Sequence, residues 1–361
     1  MDIISFQEAL EKAYALDKKP KLLLGNGFSI SFDKETFSVN HYYDIAVRNN
    51  LFEGNQRIHT ILESIDIDIF EDGMYDLQKF ISLLSLYNSY GSILDKLTEE
   101  AIKDLRELKR IFITSVVLNH PPGSFAIERN QYDACVKFLK NFCFIYTLNY
   151  DLLLYWVIVK NTNVLKFQDG FSRLSGSSEL IWYPESEAST TLYYLHGALH
   201  LIQDKQYIKK HSWKCSGIPL KDQIQSKLNQ NKLPLFVSGG ITSEKASLIL
   251  KYPYLYSGFN SLSNCNDTLF VHGFGFNSND LHIIDAIAES NIEKLFISIY
   301  KPNENFSDWL KINSAIERIN FVRDFLTNKK INIDVFYYDA ETANVWGNRV
   351  KADAKVPALE M

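Results

Sequence analysis

The stretch KLLLGNGFS at residues 21–29 joins a short apolar segment to a glycine-rich turn. Its first four residues predict a buried strand, because a short apolar run bounded by turn residues is typical of a strand covered on both faces. A glycine pair directly after a strand lets the backbone turn sharply and approach a pyrophosphate, whose charge suits free N–H groups. Ile30 stands where the GxGxxG fingerprint requires its third glycine, so the turn alone also fits an ordinary tight turn. The candidate binding residues in this turn are Gly25, Asn26, Gly27 and Ser29.

Outward from this turn, short apolar runs alternate with longer segments whose apolar residues recur at helical spacing. Strands are predicted at 143–147, 192–195, 235–237, 268–271, 295–300 and 331–338. Helices are predicted between a capping box at 5–8 and Pro20, and at 151–160, 218–229, 243–262, 279–289 and 306–328. This alternation indicates an α/β fold with a Rossmann-like parallel sheet and helices on both faces.

Residues 55–141 carry helical patterns only. Leu77, Phe80, Ile81, Leu84 and Tyr87, for example, recur at the spacing of one helix face. We therefore expect an inserted all-helical subdomain over about 55–141, within a single domain that spans residues 1–346. The polar residues 347–361 predict a flexible tail.

Composition limits the class of protein. The 361 residues are 46% hydrophobic with a formal net charge of −5, which is typical of a globular protein rather than a dedicated nucleic-acid binder. The four cysteines, at positions 135, 143, 215 and 265, have no CxxC spacing, so we expect no zinc site and a reducing compartment. The acidic start lacks the pattern of a signal peptide, and no apolar run approaches the ~20 residues that span a bilayer. A cytoplasmic protein without membrane association is expected.

Three further predicted strands end in polar or glycine-bearing segments: TLNYD at 147–151, LHG at 195–197 and HGFGFNSND at 272–280. Ligands of open α/β sheets bind outside the carboxyl ends of strands, so these segments face the expected crevice. Each also has a plain structural interpretation, as a helix cap, a structural histidine and a capped turn respectively. Ser238 to Gly240, with Lys245, could contact a phosphate or form a plain turn. The candidate residues in the three segments are Thr147, Asn149, Asp151, His196, Gly273, Gly275 and Asp280.

The ordered set of motifs resembles the sirtuin-like superfamily over about residues 20–345. That superfamily carries a GxGxS-type loop, a T-x-N-x-D strand end, a catalytic histidine and a late glycine turn on the adenosine side. Two departures mark the subclass: no GIPDFR-like segment follows Ser29, and the four cysteines cannot form the zinc module of protein deacetylases. What remains resembles bacterial sirtuin-like NAD hydrolases of anti-phage defence, which carry an inserted helical region.

The resemblance implies roles for three side chains. Asn149 would bind the nicotinamide ribose and help place the attacking water, and Asp151 would contact the carboxamide end. His196 would act as general base or orient a ribose hydroxyl. The chemistry fits these residue types, because breaking the glycosidic bond develops positive charge on the ribose and needs a nearby dipole and a path for water. An amide supplies the dipole without a charge to desolvate, and imidazole accepts a proton near pH 7.

These observations predict an NAD glycohydrolase that takes NAD as its substrate, needs no metal and releases nicotinamide and ADP-ribose. The expected setting is anti-phage defence, with a homo-oligomer and, by resemblance, a HerA-type DNA-translocating ATPase as partner. The alternatives are a catalytically quiet NAD or ADP-ribose sensor and a subunit of a DNA-processing complex. Asn149 together with His196 favours catalysis, since a sensor needs neither.

Overall fold

A computed structural model of the chain describes residues 2–14, 18–38, 41–64, 69–89, 94–173, 179–237, 239, 242–301, 304, 306–327 and 332–347. The strands of its larger sheet are β1 (Ile3–Ile4), β2 (Lys21–Leu24), β3 (Phe144–Thr147), β6 (Leu192–Tyr194), β9 (Asn266–His272), β10 (Asn291–Ile299) and β11 (Asp334–Asp339). The strands of a smaller sheet are β4 (Phe171–Arg173), β5 (Leu180–Trp182), β7 (Leu201–Asp204) and β8 (Tyr207–Lys210).

Helices cover much of the rest of the described chain. The α-helices are α1 (Phe6–Tyr14), α2 (Gly27–Phe32), α3 (Lys34–Phe37), α4 (His41–Arg48), α5 (Gln56–Ser64), α6 (Phe70–Asn88), α7 (Asp95–Asn119), α8 (Arg129–Leu139), α9 (Leu153–Lys160), α10 (Trp213–Ser216), α11 (Leu220–Asn229), α12 (Thr242–Lys251), α13 (Pro253–Ser263), α14 (Leu281–Glu289) and α15 (Phe306–Thr327). Short 3-10 turns lie at Ser124–Ala126, Pro184–Ser189, Ser278–Asp280 and Ala340–Ala343.

The larger sheet is parallel, with the strand order β1-β11-β10-β9-β2-β3-β6. From β2 the chain adds β3 and β6 on one side, then crosses over and adds β9, β10 and β11 on the other. Apart from β1 this is the doubly wound Rossmann order, and its switch point lies between β2 and β9. The predicted α/β class with a Rossmann-like parallel sheet is confirmed.

Register brings the carboxyl ends of four strands together. Leu24 pairs with Thr147 on one side and with His272 on the other, and Thr147 pairs with Tyr194. Because the strands are parallel, the segments that follow β2, β3, β6 and β9 leave the same edge of the sheet. The glycine turn at 25–29 and the three polar segments at 147–151, 195–197 and 272–280 therefore belong to this one edge.

Burial explains why these short runs form central strands. The three leucines of β2 are fully buried, and Phe270 of β9 stacks on Phe296 of β10 with ring centroids 4.5 Å apart.

The capping box before α1 is confirmed, since the Ser5 backbone N–H donates to the Glu8 carboxylate at 2.7 Å and the Glu8 backbone N–H donates to Ser5 Oγ at 3.2 Å.

Two predicted elements differ from the structure. Residues 235–237 join neither sheet; they lie extended beside the loop after β6, where the Val237 amide donates to the His196 carbonyl. The predicted helix at 243–262 is two helices, α12 and α13, which meet at Pro253. Proline has no amide proton and disfavours helical backbone in the residue before it, which explains the break.

The smaller sheet, in the order β4-β5-β8-β7, was not predicted. Its strands are antiparallel and only three or four residues long. Runs of that length are too short to show an alternation of apolar and polar residues. They are recognisable as strands only once their partners are in place.

Every element described between β2 and β3 is helical, as the sequence predicts. The side chains of these helices join the same buried cluster as the sheet, for example Phe70, Met74 and Phe112. A separate inserted subdomain therefore stays a prediction. The predicted apolar face of α6 is also only partly buried, since Leu84 is buried whereas Phe80 and Tyr87 are exposed.

The described chain ends near the glycine-rich turn. Trp346 is buried, packs on Phe28 and Phe32, and donates its indole N–H to the Phe28 carbonyl at 2.7 Å. Apart from Gly347, the predicted flexible tail lies outside the described residues.

None of the described helices combines the length and the apolar character that crossing a bilayer requires.

Candidate functional site

The glycine turn after β2 packs directly against the turn after β9. A Cβ on Gly25 would lie 2.5 Å from the Gly273 carbonyl oxygen, and one on Gly27 would lie 2.6 Å from Gly273 Cα. Gly273 itself has φ +71°, and a Cβ there would lie 2.7 Å from Gly27 Cα. Three of the predicted glycines are thus required by backbone-to-backbone contact at the switch point. Gly275 is not, because its nearest neighbour would be the Asn277 amide at 3.3 Å.

The amides of the glycine turn are engaged within the protein. Gly25 N–H donates to the His272 carbonyl at 2.9 Å, and Gly27 N–H donates to the Gly273 carbonyl at 2.8 Å. Ser29 N–H donates to the Asn26 carbonyl at 3.0 Å. These three N–H groups are therefore not free for a pyrophosphate in this conformation, and binding at this turn stays a prediction. The turn locks two loops together, and a ligand would meet the side chains around it.

Ser29 joins the glycine turn to the segment after β3. Its hydroxyl donates to Asp151 Oδ2 at 2.5 Å and accepts from Asn149 Nδ2 at 2.7 Å. All three residues are buried, and Thr147 Oγ1 accepts from the backbone N–H of Asn149 at 3.1 Å. The carboxylate, hydroxyl and amide therefore form a chain that sets the orientation of the Asn149 side chain.

The remaining polar atom of this chain is the Oδ1 of Asn149. It is buried and has no hydrogen-bond partner among the described residues. Nδ2 is held by Ser29, so the amide cannot rotate to bring Oδ1 to another donor without losing that bond. The result is a preorganised acceptor at the carboxyl edge of the sheet.

Asp151 lies behind this acceptor. Its Oδ2 accepts from Ser29, and its Oδ1 accepts from the Leu153 amide at 2.8 Å, which begins α9. Burial raises the pKa of Asp151, and the hydrogen bond from Ser29 opposes that shift. Both oxygens are engaged, so in this conformation Asp151 orients Ser29. Its contact with a carboxamide stays a prediction.

His196 follows β6 and faces a second histidine. Its Nε2 lies 2.9 Å from Nε2 of His282 on α14, and the ring centroids are 5.1 Å apart. Burial lowers the pKa of His196 well below its usual value, and His282 and Lys245 lower it further. Burial also lowers the pKa of His282 to about 4. Both imidazoles are therefore neutral at pH 7.

Asp280 and Lys245 complete this cluster. Lys245 Nζ lies 2.8 Å from Asp280 Oδ1, and the lysine side chain is only 6% exposed. The possible ligand atoms of His196, Asp280 and His282 lie within 4.8 Å of one another, a set that could hold a cation. The ammonium already pairs with the carboxylate, however, and its charge opposes a metal ion there. The expected absence of a metal stays a prediction.

A cleft of about 880 Å³ opens beside Asp280. It is within the size range of small-molecule and cofactor sites. Asn279 is one of its lining residues, and the Oδ1 of Asn279 is buried without a hydrogen-bond partner among the described residues. Its lining residues include Glu71, Tyr75, Thr242, Asn277, Asn279 and Leu281.

Sequence reasoning found the four strand ends but missed His282, which contacts His196 from α14. The signal available was its position two residues after Asp280, between the apolar residues Leu281 and Ile283. For the 238–240 segment with Lys245, the sequence leaves a phosphate contact and a plain turn open; in the structure the Lys245 ammonium pairs with Asp280. Gly239 is described, whereas Ser238 and Gly240 lie outside the described residues.

Comparison with known proteins identifies the family. The chain matches a family described as Domain of unknown function (DUF4917) over residues 22–346. The chain belongs to this family. No curated protein matches the chain. The matched range begins in β2 and ends at Trp346, so membership of DUF4917 covers both glycine turns and the clusters around Asn149 and His196.

Proposed function

We propose that this DUF4917 protein is an NAD glycohydrolase that cleaves NAD to nicotinamide and ADP-ribose. The observation that carries the proposal is the orphaned Oδ1 of Asn149. A buried polar atom without a partner costs about 1–3 kcal/mol, and such an atom in a native structure calls for an explanation. A ligand that donates a hydrogen bond would supply the missing partner. Asn149 lies at the carboxyl edge of a doubly wound sheet, which is where dinucleotides bind to this class of fold.

The reaction suits a fixed dipole. The bond between the ribose C1′ and the pyridinium nitrogen breaks, its electron pair leaves with neutral nicotinamide, and positive charge develops on the ribose. A preorganised amide oxygen stabilises that charge without reorganising during the reaction. Water then adds to C1′ and loses a proton, which gives ADP-ribose. The neutral His196 is available to accept a proton or to orient a ribose hydroxyl.

The surroundings of the site support a dinucleotide as ligand. The 880 Å³ cleft begins beside Asp280, and amide side chains of Asn277 and Asn279 line it. Amides and hydroxyls can hydrogen-bond a ribose or an adenine edge. We therefore propose that the adenosine side of NAD occupies this cleft.

Turnover of NAD by the purified chain tests the proposal. We expect nicotinamide and ADP-ribose in equal amounts, and a loss of about 10²–10³-fold in kcat for Asn149→Ala, the scale for removing one preorganised group. Asn141→Ala is the matched control: Asn141 donates to the Lys137 and Phe138 carbonyls at the end of α8, away from the sheet edge. NAD binding without turnover, at any enzyme concentration or with a candidate ATPase added, would instead indicate a sensor.

The biological setting is proposed from the resemblance alone. We propose a cytoplasmic homo-oligomer that depletes NAD in anti-phage defence, with a HerA-type ATPase as partner. The four cysteines are free thiols, which fits a reducing compartment. Co-purification of such an ATPase from cells expressing both proteins, and NAD loss only after phage infection, would test this setting.

A further inference from the structure

A hydrogen bond joins the two facing imidazoles of His196 and His282. A distance of 2.9 Å between Nε2 of His196 and Nε2 of His282 is that of a hydrogen bond, so one of the two atoms carries the hydrogen and the other accepts it. Two arrangements satisfy this geometry. In the first, His282 donates and the proton of His196 resides on Nδ1. In the second, His196 donates and the proton of His282 resides on Nδ1.

The surroundings of His282 distinguish the two arrangements. Its Nδ1 is buried and has no partner in the described part of the chain. The second arrangement would place an N–H group there, and orphaned buried N–H groups are the rarer defect in native proteins. The first arrangement leaves only a lone pair at that atom. It is therefore the favoured one.

We infer that His282 is a positioning residue: it donates Nε2–H to His196 and thereby holds the proton of His196 on Nδ1. His196 then presents an N–H donor, and its acceptor nitrogen is already engaged by His282. Of the two roles left open for His196, the geometry points to orientation of a substrate hydroxyl rather than removal of a proton from water. The statement about the substrate rests on the proposed function, whereas the statement about the proton does not.

Asp280 and Lys245 support this arrangement. An unpaired carboxylate so close to His282 would draw a second proton onto the ring, and an imidazolium has no bare nitrogen. Lys245 neutralises that carboxylate at 2.8 Å. The ion pair thus keeps His282 a neutral donor, with one proton for His196.

Nitrogen NMR of the wild-type protein tests the inference directly. Long-range ¹H–¹⁵N correlation on protein labelled at histidine distinguishes protonated from bare ring nitrogens, and His196→Ala and His282→Gln assign the two rings. At pH 7.5 we expect His196 protonated on Nδ1 and His282 protonated on Nε2. The reverse pattern, or a doubly protonated ring, would overturn the inference. Neither outcome depends on whether the protein cleaves NAD.

Two variants at position 282 separate positioning from packing. The amide nitrogen of His282→Gln can still donate to His196, whereas His282→Leu fills the space and donates nothing. We expect Gln to retain most of the wild-type kcat, and Leu to lower kcat about 10–100-fold with KM unchanged, the scale for residues that orient a functional side chain from behind. Equal kcat in the two folded variants would contradict the inference. If neither variant nor the wild type cleaves NAD while the NMR pattern is as expected, the proposed function fails and the positioning role stands.

A metal ion is the competing use of the cluster, and it requires a ring nitrogen without a hydrogen on each histidine to face the ion. Incubation with Zn²⁺ or Ni²⁺, followed by dialysis and metal analysis, measures this use. We expect no stoichiometric retention. One equivalent held by the wild type and lost in His282→Leu would overturn the positioning role.

Discussion

Replacing Asn149 by leucine, a side chain of nearly the same shape, should lower kcat for NAD cleavage about 10²–10³-fold with little or no loss of stability. The magnitude follows from the contacts of the two polar atoms. Losing the 2.7 Å bond from Nδ2 to Ser29 costs about 0.5–1.5 kcal/mol, and removing the buried, unpartnered Oδ1 returns about 1–3 kcal/mol. Ser29 keeps its bond to Asp151 and is not orphaned. The free energy of unfolding should therefore rise by about 1 kcal/mol, within a range of about −0.5 to +2.5 kcal/mol.

Two measurements on the same preparations check this expectation. Urea unfolding gives the change in stability from the midpoint, provided that the slope with urea is unchanged. Release of nicotinamide gives kcat, which should fall about 10²–10³-fold. Asn141→Leu is the matched control: both of its bonds are to helix carbonyls and it has no orphaned atom, so it should lose about 1 kcal/mol and keep its activity.

Either of two results would refute the reasoning. A loss of stability larger than that of the Asn141 control would mean that Oδ1 has a partner in solution and that the amide is structural. Full turnover per folded molecule, with the wild type active, would mean that the amide takes no part in the reaction. Greater stability together with lost activity is the signature expected of a polar group kept for function.

Three further predictions concern the framework around the site. Gly273→Ala should cost about 2 kcal/mol or more, because φ is +71° and the new Cβ would meet the backbone of the facing turn, whereas Gly275→Ala should be nearly neutral; thermal melts compare them. Burial lowers the pKa of His120 and of His272 to about 4, below the unfolded value, so the stability they contribute is present above pH 6.5 and is lost as the pH falls toward 4. The free energy of unfolding, from urea titrations at several pH values, should fall over that window by roughly 1.4 kcal/mol per pH unit for each histidine, and a flat profile would contradict this. Trp346→Ala should cost about 3–5 kcal/mol and Trp346→Phe less, and equal losses would mean that the indole hydrogen bond, not the packing, dominates.

Most of the fold could be predicted from local patterns in the sequence. The leucines of β2, the buried runs of β3 and β9 and the polar segments after them lie within a few residues of one another, so strand, turn and following helix could be predicted together. Parallel strands with helices between them lead to a doubly wound sheet, and that topology brings the four strand ends to one edge. The candidate residues therefore came from position along the chain alone.

Elements without a local pattern could not be predicted. The strands of the antiparallel sheet are three or four residues long, and residues 235–237 look like a strand but pair only with the loop at Gly197. Whether such a segment joins a sheet depends on its partners, which are distant in the chain.

The roles of the site residues also depended on distant contacts. The sequence by itself determined that glycines, an amide and a histidine follow the strands of one sheet. Only the tertiary structure decided that Gly25 and Gly27 face Gly273, which engages the amides expected to bind phosphate. It alone decided that Nδ2 of Asn149 is hydrogen-bonded whereas its Oδ1 has no partner among the described residues. It also decided that His196 contacts His282, which lies on a helix 86 residues further along the chain. Hydrogen-bond partners are set by packing between elements far apart in the chain, and no local pattern records which atom is left unpaired.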